Sequence, residues 1–409
     1  MSRARRAVSA KASEFSAISR VEEVELVEAD QRWMRRALAL ARRGRGATRP
    51  NPMVGAVVVR GGRLLGQGFH RRAGTPHAEI NALAGLGRRA AGATLYVTLE
   101  PCCHTGRTAP CTTAVIAAGL ARVVVGVRDP NPLVNGRGIA QLRRAGIRVE
   151  VAAGKVAIAC RELNRPFFTW IQQHRPLVTL KVAASLDGFI ADGRSARVAA
   201  PVWITGREAR AATHALRSQH DAILIGAGTV RADNPLLTVR LPQRRIRGGG
   251  ETRAAAPLLR VILDGGLTVP SNAAVLAPAP GARTLVVGTD GASARRAARL
   301  RQAGAEVQLL PSRYGRIDMK RLLTALAERA VQSLLVEGGA EVHAAFIAAG
   351  LVDRVAFFYA PSLLGGGVPI AAGGREGGRR VSRALRLGPL AVRRLGADIL
   401  VQADVIAEP

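Results

Sequence analysis

Residues 75–83, TPHAEINAL, and residues 94–111, TLYVTLEPCCHTGRTAPC, decide the reading of this chain. In the first, Thr75 and Pro76 open a helix as cap and first-turn proline, which puts His77 in its first turn and Glu79 two residues on. In the second, Thr94 to Leu99 predicts a strand running into Pro101-Cys102, and Pro110 opens another helix with Cys111 in its first turn. His77, Cys102 and Cys111 are three soft or borderline ligands for one metal, and Glu79 is a carboxylate free to move protons. Helix N-termini favour the thiolate that zinc needs. Three protein ligands leave a fourth position for water, whose pKa such a metal lowers to near ~7. Glu79 is placed to take that proton and pass it to a leaving group.

The flanks of these two stretches read as α/β. Asp30 is expected to N-cap a helix carrying Met34, Leu38 and Ala41 on one face. Val54 to Val59 and Leu64 to Phe69, joined by Arg60-Gly61-Gly62-Arg63, predict a β-hairpin. The helix from Thr75 runs to the glycines at 85 and 87, and the one from Pro110 closes at Gly119. A strand Val123 to Val127, a helix Ile139 to Ala145 and a strand Ile147 to Val151 follow, which implies a layered sheet with helices on its faces. Residues 155–176 show no clean period, so the domain boundary is set near His174.

The second half restarts with a strand Leu177 to Ala183. Thr205-Gly206-Arg207-Glu208 reads as a capping box for a helix through Arg217. Strands are predicted at 222–225, 259–263, 284–287, 307–310, 334–336 and 355–359, with α/β alternation continuing to the end. The Arg- and Gly-rich stretch 242–256 reads as a mobile surface insertion.

Composition narrows the function classes. At 409 residues, 48% hydrophobic, the chain is expected to form two domains. The formal charge of +31 points toward anionic partners, yet Lys occurs only at 11, 155, 181 and 320. An excess of Arg, Ala and Gly is what a GC-rich genome writes onto any protein. Aromatics at 3% offer few platforms for base stacking, which argues against nucleic acid. Three of four cysteines fall within ten residues while Cys160 stands alone, a metal spacing in a reducing compartment, so a cytoplasmic location is expected. The longest uncharged stretch, 355–374, contains Pro361, Pro369 and several glycines, so no membrane helix is expected. Residues 1–20 read as a disordered basic tail or a transit peptide, the tail being the expectation.

The bland readings are that an H-x-E arises by chance, that the thiols are merely buried, or that His104 completes a closed structural zinc site. Order and predicted context favour a catalytic metal, with Cys103 a bystander. NPMVGAVVV (51–59), GTPHAEINAL (74–83), TLEPCCHTGRTAPC (98–111) and DPNPLVNGRGI (129–139) closely resemble the deaminase domain of the bifunctional riboflavin-biosynthesis deaminase/reductase family. The general zinc-deaminase pattern has two residues between its cysteines, whereas eight separate Cys102 from Cys111, as in this family. The resemblance implies a cytidine-deaminase-like three-layer α/β/α domain, one Zn²⁺ on His77, Cys102 and Cys111, Glu79 as proton shuttle, and Asn51 with the loop His104 to Arg107 around the pyrimidine and its ribose phosphate. Cys103 stands where the family commonly has Ser.

LVTLKVAASLDGFIADGRSARVAAPVWITGREAR (177–210) and HALRSQHDAILIGAGTVRADNPLLTVR (214–240) resemble the same family's reductase domain, so the likeness covers roughly residues 29–400. It implies a dihydrofolate-reductase-like α/β fold using NADPH. Read from residues alone, Gly226-Ala-Gly228-Thr229 and Glu337-Gly338-Gly339 are glycine turns entering helices, able in principle to cradle phosphate. By resemblance Ala183, Trp203, Thr229, Asp233 and Gly339, Ala340, Glu341, Val342, His343, Ala344 and Ala345 contact the cofactor, and Arg217, Leu237, Arg240 and Glu337 contact the substrate. Lys181 holds substrate or assists proton movement. Without the resemblance, Arg217 reads as a solvated helix face and Trp203 as core. Two departures stand out: the chain between Asp187 and Trp203 is longer than usual, and Pro201 replaces a substrate-contacting Ser.

The expectation is therefore a basic extension over 1–27, a zinc deaminase domain over 28–173 and a reductase domain over 174–409. The first would deaminate 2,5-diamino-6-(5-phosphoribosylamino)pyrimidin-4-one, and the second would reduce the ribosyl group to ribityl. The expected partner is this small ribose-phosphate pyrimidine, with no nucleic acid and no membrane, in a homo-oligomer. A nucleic-acid base deaminase with an appended domain and a noncatalytic structural-zinc protein are the rival readings.

Overall fold

Gly55-Ala-Val-Val-Val-Arg60 is buried at every position but the last, as a strand covered on both faces must be. The computed structural model describes residues 22–106, 109–192, 203–240, 258–313, 315–372 and 380–406. The chain divides into two compact units, Met1–Gln173 and His174–Pro409. The tail expected over 1–20, Arg107, Pro201 with most of its lengthened loop, and the insertion over 242–256 lie outside the described residues.

The first unit contains β1 (Glu23–Val24), α1 (Glu28–Ala41), β2 (Gly55–Arg60), β3 (Arg63–Phe69), α2 (Ala78–Leu83), β4 (Thr94–Val97), α3 (Cys111–Ala117), β5 (Arg122–Val125), α4 (Arg137–Arg144), β6 (Arg148–Ala152), α5 (Gly154–Leu163) and α6 (Arg165–Gln173). Its six-stranded sheet runs β1-β6-β5-β4-β2-β3. The expected hairpin is β2–β3, antiparallel, while β4, β5 and β6 are parallel. Strand alternation splits the core in two: Val57 and Val59 join Met34, Leu38 and Phe168 on one face, and Ala56 and Val58 join Ala78, Val115 and Ile139 on the other. This is the three-layer α/β/α sandwich.

Three local readings are corrected. Asp30 does not cap α1. Val27 precedes the helix, and the Asp30 side chain, only 5% exposed, accepts from the Tyr96 hydroxyl and from both terminal nitrogens of Arg122. A half-buried guanidinium outcompetes free helix amides for that carboxylate. Thr75 and Pro76 do not open α2 either: Thr75 Oγ1 donates to the Arg72 carbonyl, and the helix begins at Ala78 with His77 at its N-cap. Finally, 154–173 is two helices, α5 and α6. Asn164 ends α5, and Pro166 sits in the first turn of α6, where a missing N–H costs nothing. That break erases a continuous period.

The second unit contains β7 (Leu177–Ser185), β8 (Phe189–Ala191), α7 (Arg207–Arg217), β9 (Ala222–Gly226), α8 (Ala227–Asp233), β10 (Leu258–Leu263), β11 (Ala282–Thr289), α9 (Ala294–Gln302), β12 (Glu306–Leu310), β13 (Ser312–Arg313), β14 (Arg316–Ile317), α10 (Met319–Glu328), β15 (Ser333–Val336), α11 (Ala340–Ala348), β16 (Arg354–Ala360), β17 (Val368–Pro369), β18 (Ala391–Leu395) and β19 (Asp398–Asp404). Nine strands run β12-β11-β10-β9-β15-β7-β16-β19-β18. Those from β12 to β16 are parallel, and β19 and β18 add antiparallel.

Here the expected alternation to the end fails, because the chain closes as a hairpin of β18 and β19. The capping box also fails: Gly206 is the N-cap of α7, its amide donates to Asp398 Oδ2 at 2.7 Å, and no side chain caps the helix. Neighbouring strands β9 and β15 lead in opposite directions, β9 on to β10 and β15 by α11 to β16 beyond β7. A parallel sheet opens a ligand crevice at the carboxyl ends of two such strands.

Candidate active sites

Three segments of the first unit converge. His77 ends the turn before α2, Cys102 lies in the loop after β4, and Cys111 begins α3. Their ligand atoms all lie within 4.8 Å of one another. His77 Nδ1 is 3.3 Å from Cys111 Sγ and 3.6 Å from Cys102 Sγ. Tetrahedral zinc with ordinary Zn–N and Zn–S bonds sets ligand atoms ~3.5–3.8 Å apart, so this donor set fits zinc. The Cys111 amide approaches Cys102 Sγ at 3.4 Å. Hydrogen bonding from the Cys111 thiol, reinforced by His77, brings Cys102 down to about 4, while the same contact and burial push Cys111 up.

His104 is not part of this cluster, and Cys103 turns its sulfur toward the Leu133 carbonyl at 3.6 Å. The closed four-ligand site weighed from sequence does not form among the described residues. Glu79, on α2, is 3% exposed, and burial pushes its carboxyl up to about 7 with help from the Cys102 charge. Near neutrality it can both hold and release a proton.

Two residues here escaped the sequence reading. His70, 2% exposed, lies edge-on to His77 with ring centroids 5.1 Å apart. Its Nδ1 is 3.3 Å from the Pro76 carbonyl, which only accepts, so Nδ1 carries the proton and Nε2 accepts from Asn51 Nδ2 at 3.1 Å. Glu100, 3% exposed, accepts from the amides of Asp129, Gly136 and Ile139 at 3.2, 2.9 and 3.2 Å. It ties the 129–139 loop beside the Cys102 loop, and a Cβ at Gly138 would sit 2.2 Å from the Pro101 carbonyl. His70 is a lone histidine without a motif. Glu100 was quoted within TLEPC, yet only the fold reveals its partners.

In the second unit Lys181 (β7), Arg217 (end of α7) and Glu337 (after β15) meet. Arg217 Nε and Nη2 donate to the two Glu337 oxygens at 2.7 and 2.8 Å, and Lys181 Nζ is 3.9 Å from Glu337 Oε2. Burial opposes ionisation of Glu337, but Arg217 and Lys181 outweigh it and hold the carboxyl down to about 2. Neither solvated face nor core describes these positions: the Arg217 side chain, 13% exposed, is held in a bidentate fork, whereas Trp203 is 61% exposed under the Arg210 guanidinium at 5.2 Å.

Ala183 shares the Lys181 face of β7 and is half-buried. Thr229 Oγ1, on α8, accepts from the Gly339 amide at 3.1 Å, drawing the two glycine turns together at the crevice. Cβ atoms at Gly226 or Gly338 would lie 2.9 Å from Val342, so side chains there would fill the space in which the α11 start packs. Ala340, Val342 and His343 are buried, Ala344 and Ala345 half-buried, and Glu341 exposed. His343 Nδ1 donates to the Ile370 carbonyl at 2.7 Å. Leu237 is buried, while Asp233 and Arg240 are exposed. A helix start beside a topological switch point fits a dinucleotide phosphate.

Comparisons with known proteins match this division. The family model described as the cytidine and deoxycytidylate deaminase zinc-binding region covers residues 27–127, and the one described as the RibD C-terminal domain covers 176–401. The riboflavin biosynthesis protein RibD of Aquifex aeolicus is 41% identical over 91% of this chain and 98% of its own length. That of Escherichia coli is 40% identical over 82% and 89%. Among solved structures, Acinetobacter baumannii RibD superposes with a TM-score of 0.79 at 35% identity, covering 93% of this chain and 99% of that one. The diaminohydroxyphosphoribosylaminopyrimidine deaminase/5-amino-6-(5-phosphoribosylamino)uracil reductase of Thermotoga maritima gives 0.76 at 34%, covering 92% and 99%. With three converging zinc ligands in one unit and a parallel-sheet crevice in the other, the chain belongs to the RibD family, the bifunctional zinc-dependent deaminases and NADPH-dependent reductases of riboflavin biosynthesis.

Proposed function

We propose that residues 28–173 carry out the deamination of 2,5-diamino-6-(5-phosphoribosylamino)pyrimidin-4-one and residues 174–409 the reduction of its ribosyl group, with the following division of labour. The observation that carries this reading is the convergence of His77, Cys102 and Cys111 beside a buried carboxylate, Glu79, that is not one of the ligands. When bound, zinc supplies a water ionisable near neutral pH and NADPH supplies a hydride. His77 Nδ1, Cys102 Sγ and Cys111 Sγ hold the metal. A Glu79 carboxyl oxygen takes the proton from the attacking water and returns it to the departing ammonia. Because His70 accepts from Asn51 Nδ2, the Asn51 carbonyl is left to face a donor on the pyrimidine.

In the reductase, the Arg217–Glu337–Lys181 network and the loop bearing Leu237 and Arg240 grip the ribose phosphate. Since Arg217 is already forked onto Glu337, it orients that carboxylate toward sugar hydroxyls, and the exposed Arg240 is the phosphate partner. Ala183, Trp203, Thr229, Asp233 and the segment 339–345 hold NADPH. No helix among the described residues is long and apolar enough to cross a membrane. The free cysteines fit a cytoplasmic enzyme, and a homo-oligomer is the expected assembly, checked by sedimentation.

The test is NADPH absorbance and ammonia release after adding the diaminopyrimidine ribotide to purified, zinc-loaded protein. Matched release and oxidation support both halves. Ammonia without oxidation rejects the reductase assignments, and neither signal rejects the whole reading.

A further inference from the structure

Strand β10 reads Leu258-Leu-Arg-Val-Ile-Leu263, and its alternation turns Leu258, Arg260 and Ile262 to one face. That face is an apolar layer shared with Ile223, Leu237 and Leu276. Arg260 is therefore a guanidinium where an aliphatic side chain would be expected. It is 2% exposed and the largest of the fully buried side chains. Among the described residues no carboxylate pairs with it, and its Nε has no hydrogen-bond partner. Its remaining bonds go to two carbonyls: Nη1 to Leu236 at 3.2 Å and Nη2 to Ala277 at 3.1 Å. Burial without a counter-charge is costly, and an arginine remains protonated throughout. Stability alone does not explain its presence, since an apolar residue fits the layer without that penalty.

What the guanidinium grips explains it. Leu236 belongs to the loop 234–240, which contains two non-glycine residues in the left-handed region, Asn234 (φ 39°) and Leu237 (φ 49°). Such backbone persists only where its surroundings over-determine it. Asn234 Oδ1 accepts from the Ala274 amide at 2.8 Å, and the Arg240 amide donates to His214 Nδ1 at 3.2 Å. Thr238 offers its carbonyl to Arg217 Nη1 at 3.2 Å. The loop is thus strung between two guanidinium groups, Arg260 beneath it and Arg217 on the side of Glu337 and Lys181.

We infer that Arg260 is a positioning residue for the reductase, fixing the Leu236 carbonyl and, through the loop, the Arg217–Glu337 fork and Arg240 that grip the ribose phosphate. The inference rests on the assignment of Arg217, Leu237, Arg240 and Glu337 to substrate binding.

The test uses the full-length, zinc-loaded protein with the deaminated ribotide, so that reduction is read alone. Arg260→Met replaces the guanidinium with an apolar chain suited to the layer. The expected result is an unfolding midpoint unchanged or raised, a ribotide KM raised roughly tenfold, as for loss of one charged hydrogen bond, and kcat, NADPH KM and deamination within about twofold of the parent. Arg260→Lys, a point charge able to reach one carbonyl, is expected to fall between. A role in packing alone would lower the midpoint and leave ribotide KM unchanged, which overturns the inference. Should Arg260→Met fail to fold, Arg260→Lys decides: a raised ribotide KM at unchanged NADPH KM supports positioning, and an unchanged one overturns it. Arg217→Met separates the two layers of argument. If it leaves ribotide KM unchanged, the substrate assignment fails and the inference with it; if it raises KM while Arg260→Met does not, the inference alone falls.

Discussion

The two active sites solve the placement of charged groups in different ways. In the deaminase unit the ligands lie within 35 positions of one another in sequence, His77 and Cys111 delivered by helix starts and Cys102 by the short loop after β4. In the reductase unit Lys181, Arg217 and Glu337 come from β7, α7 and the turn after β15, with most of the unit's chain between them. The first site is set by local backbone and needs a metal to bind its thiolates. The second is set by strand order and neutralises its own charges. Local sites tolerate distant change, whereas a site built by topology depends on every segment that braces it.

The comparison is broken most severely at the metal. Cys111→Ala should lose zinc and deamination together while the reductase still oxidises NADPH with deaminated substrate; metal analysis beside the two separate assays checks this, and loss of reduction as well would mean that the units are not independent. Glu79→Gln should retain zinc yet reduce deamination by roughly a hundred- to ten-thousand-fold. Unimpaired turnover in that variant would remove Glu79 from proton transfer. Glu337→Gln strips a buried partner from Arg217 and Lys181, and ribotide KM in the reductase should rise roughly ten- to a hundredfold with the deaminase unaffected.

A smaller effect is expected where charge serves only the fold. Burial opposes ionisation of Asp30, but hydrogen bonds from Arg122 and Tyr96 outweigh it and hold the carboxyl below its ordinary value. Its contribution to stability is therefore complete above the unfolded value of ~3.9 and is lost as pH falls through the lower folded value. Asp30→Asn should lower unfolding free energy by about 1–3 kcal/mol at neutral pH and narrow the gap to the parent in acid, with both KM values unchanged. Thermal melts across pH follow this. The smallest expected change is Cys103→Ser, near neutral for zinc content and turnover, because its sulfur turns away from the ligand cluster toward the Leu133 carbonyl.

What was legible in sequence follows the same division. The strands at 55–60, 222–226, 258–263 and 333–336 each carry a run of Val, Ile or Leu with at most one charged residue, so composition alone reveals them. The ligand triad was legible because Pro101, Pro110 and the H-x-E spacing mark element ends in the chain itself. Caps were misread at Asp30, Thr75 and Thr205 because each has the right residue type and a different partner: Arg122, the Arg72 carbonyl, and an Asp398 carboxylate that takes the amide of the neighbouring Gly206. The helices over 154–173 were hidden by Asn164 and Pro166 at their junction. Arg217 was singled out for its likeness to known relatives, but its fork with Glu337 joins residues 120 positions apart, and no local pattern encodes that. His70 and Glu100 are of the same kind.

Glu100 also gives the deaminase a built-in reporter. Its carboxylate shields the amide hydrogens of Asp129, Gly136 and Ile139 from solvent, while its own backbone lies two residues before Cys102. Any loosening of the Cys102 loop should therefore register as faster deuterium uptake at three amides more than 25 residues away in sequence. Exchange at those positions would read the integrity of the ligand loop in the intact protein, with no substrate and no turnover.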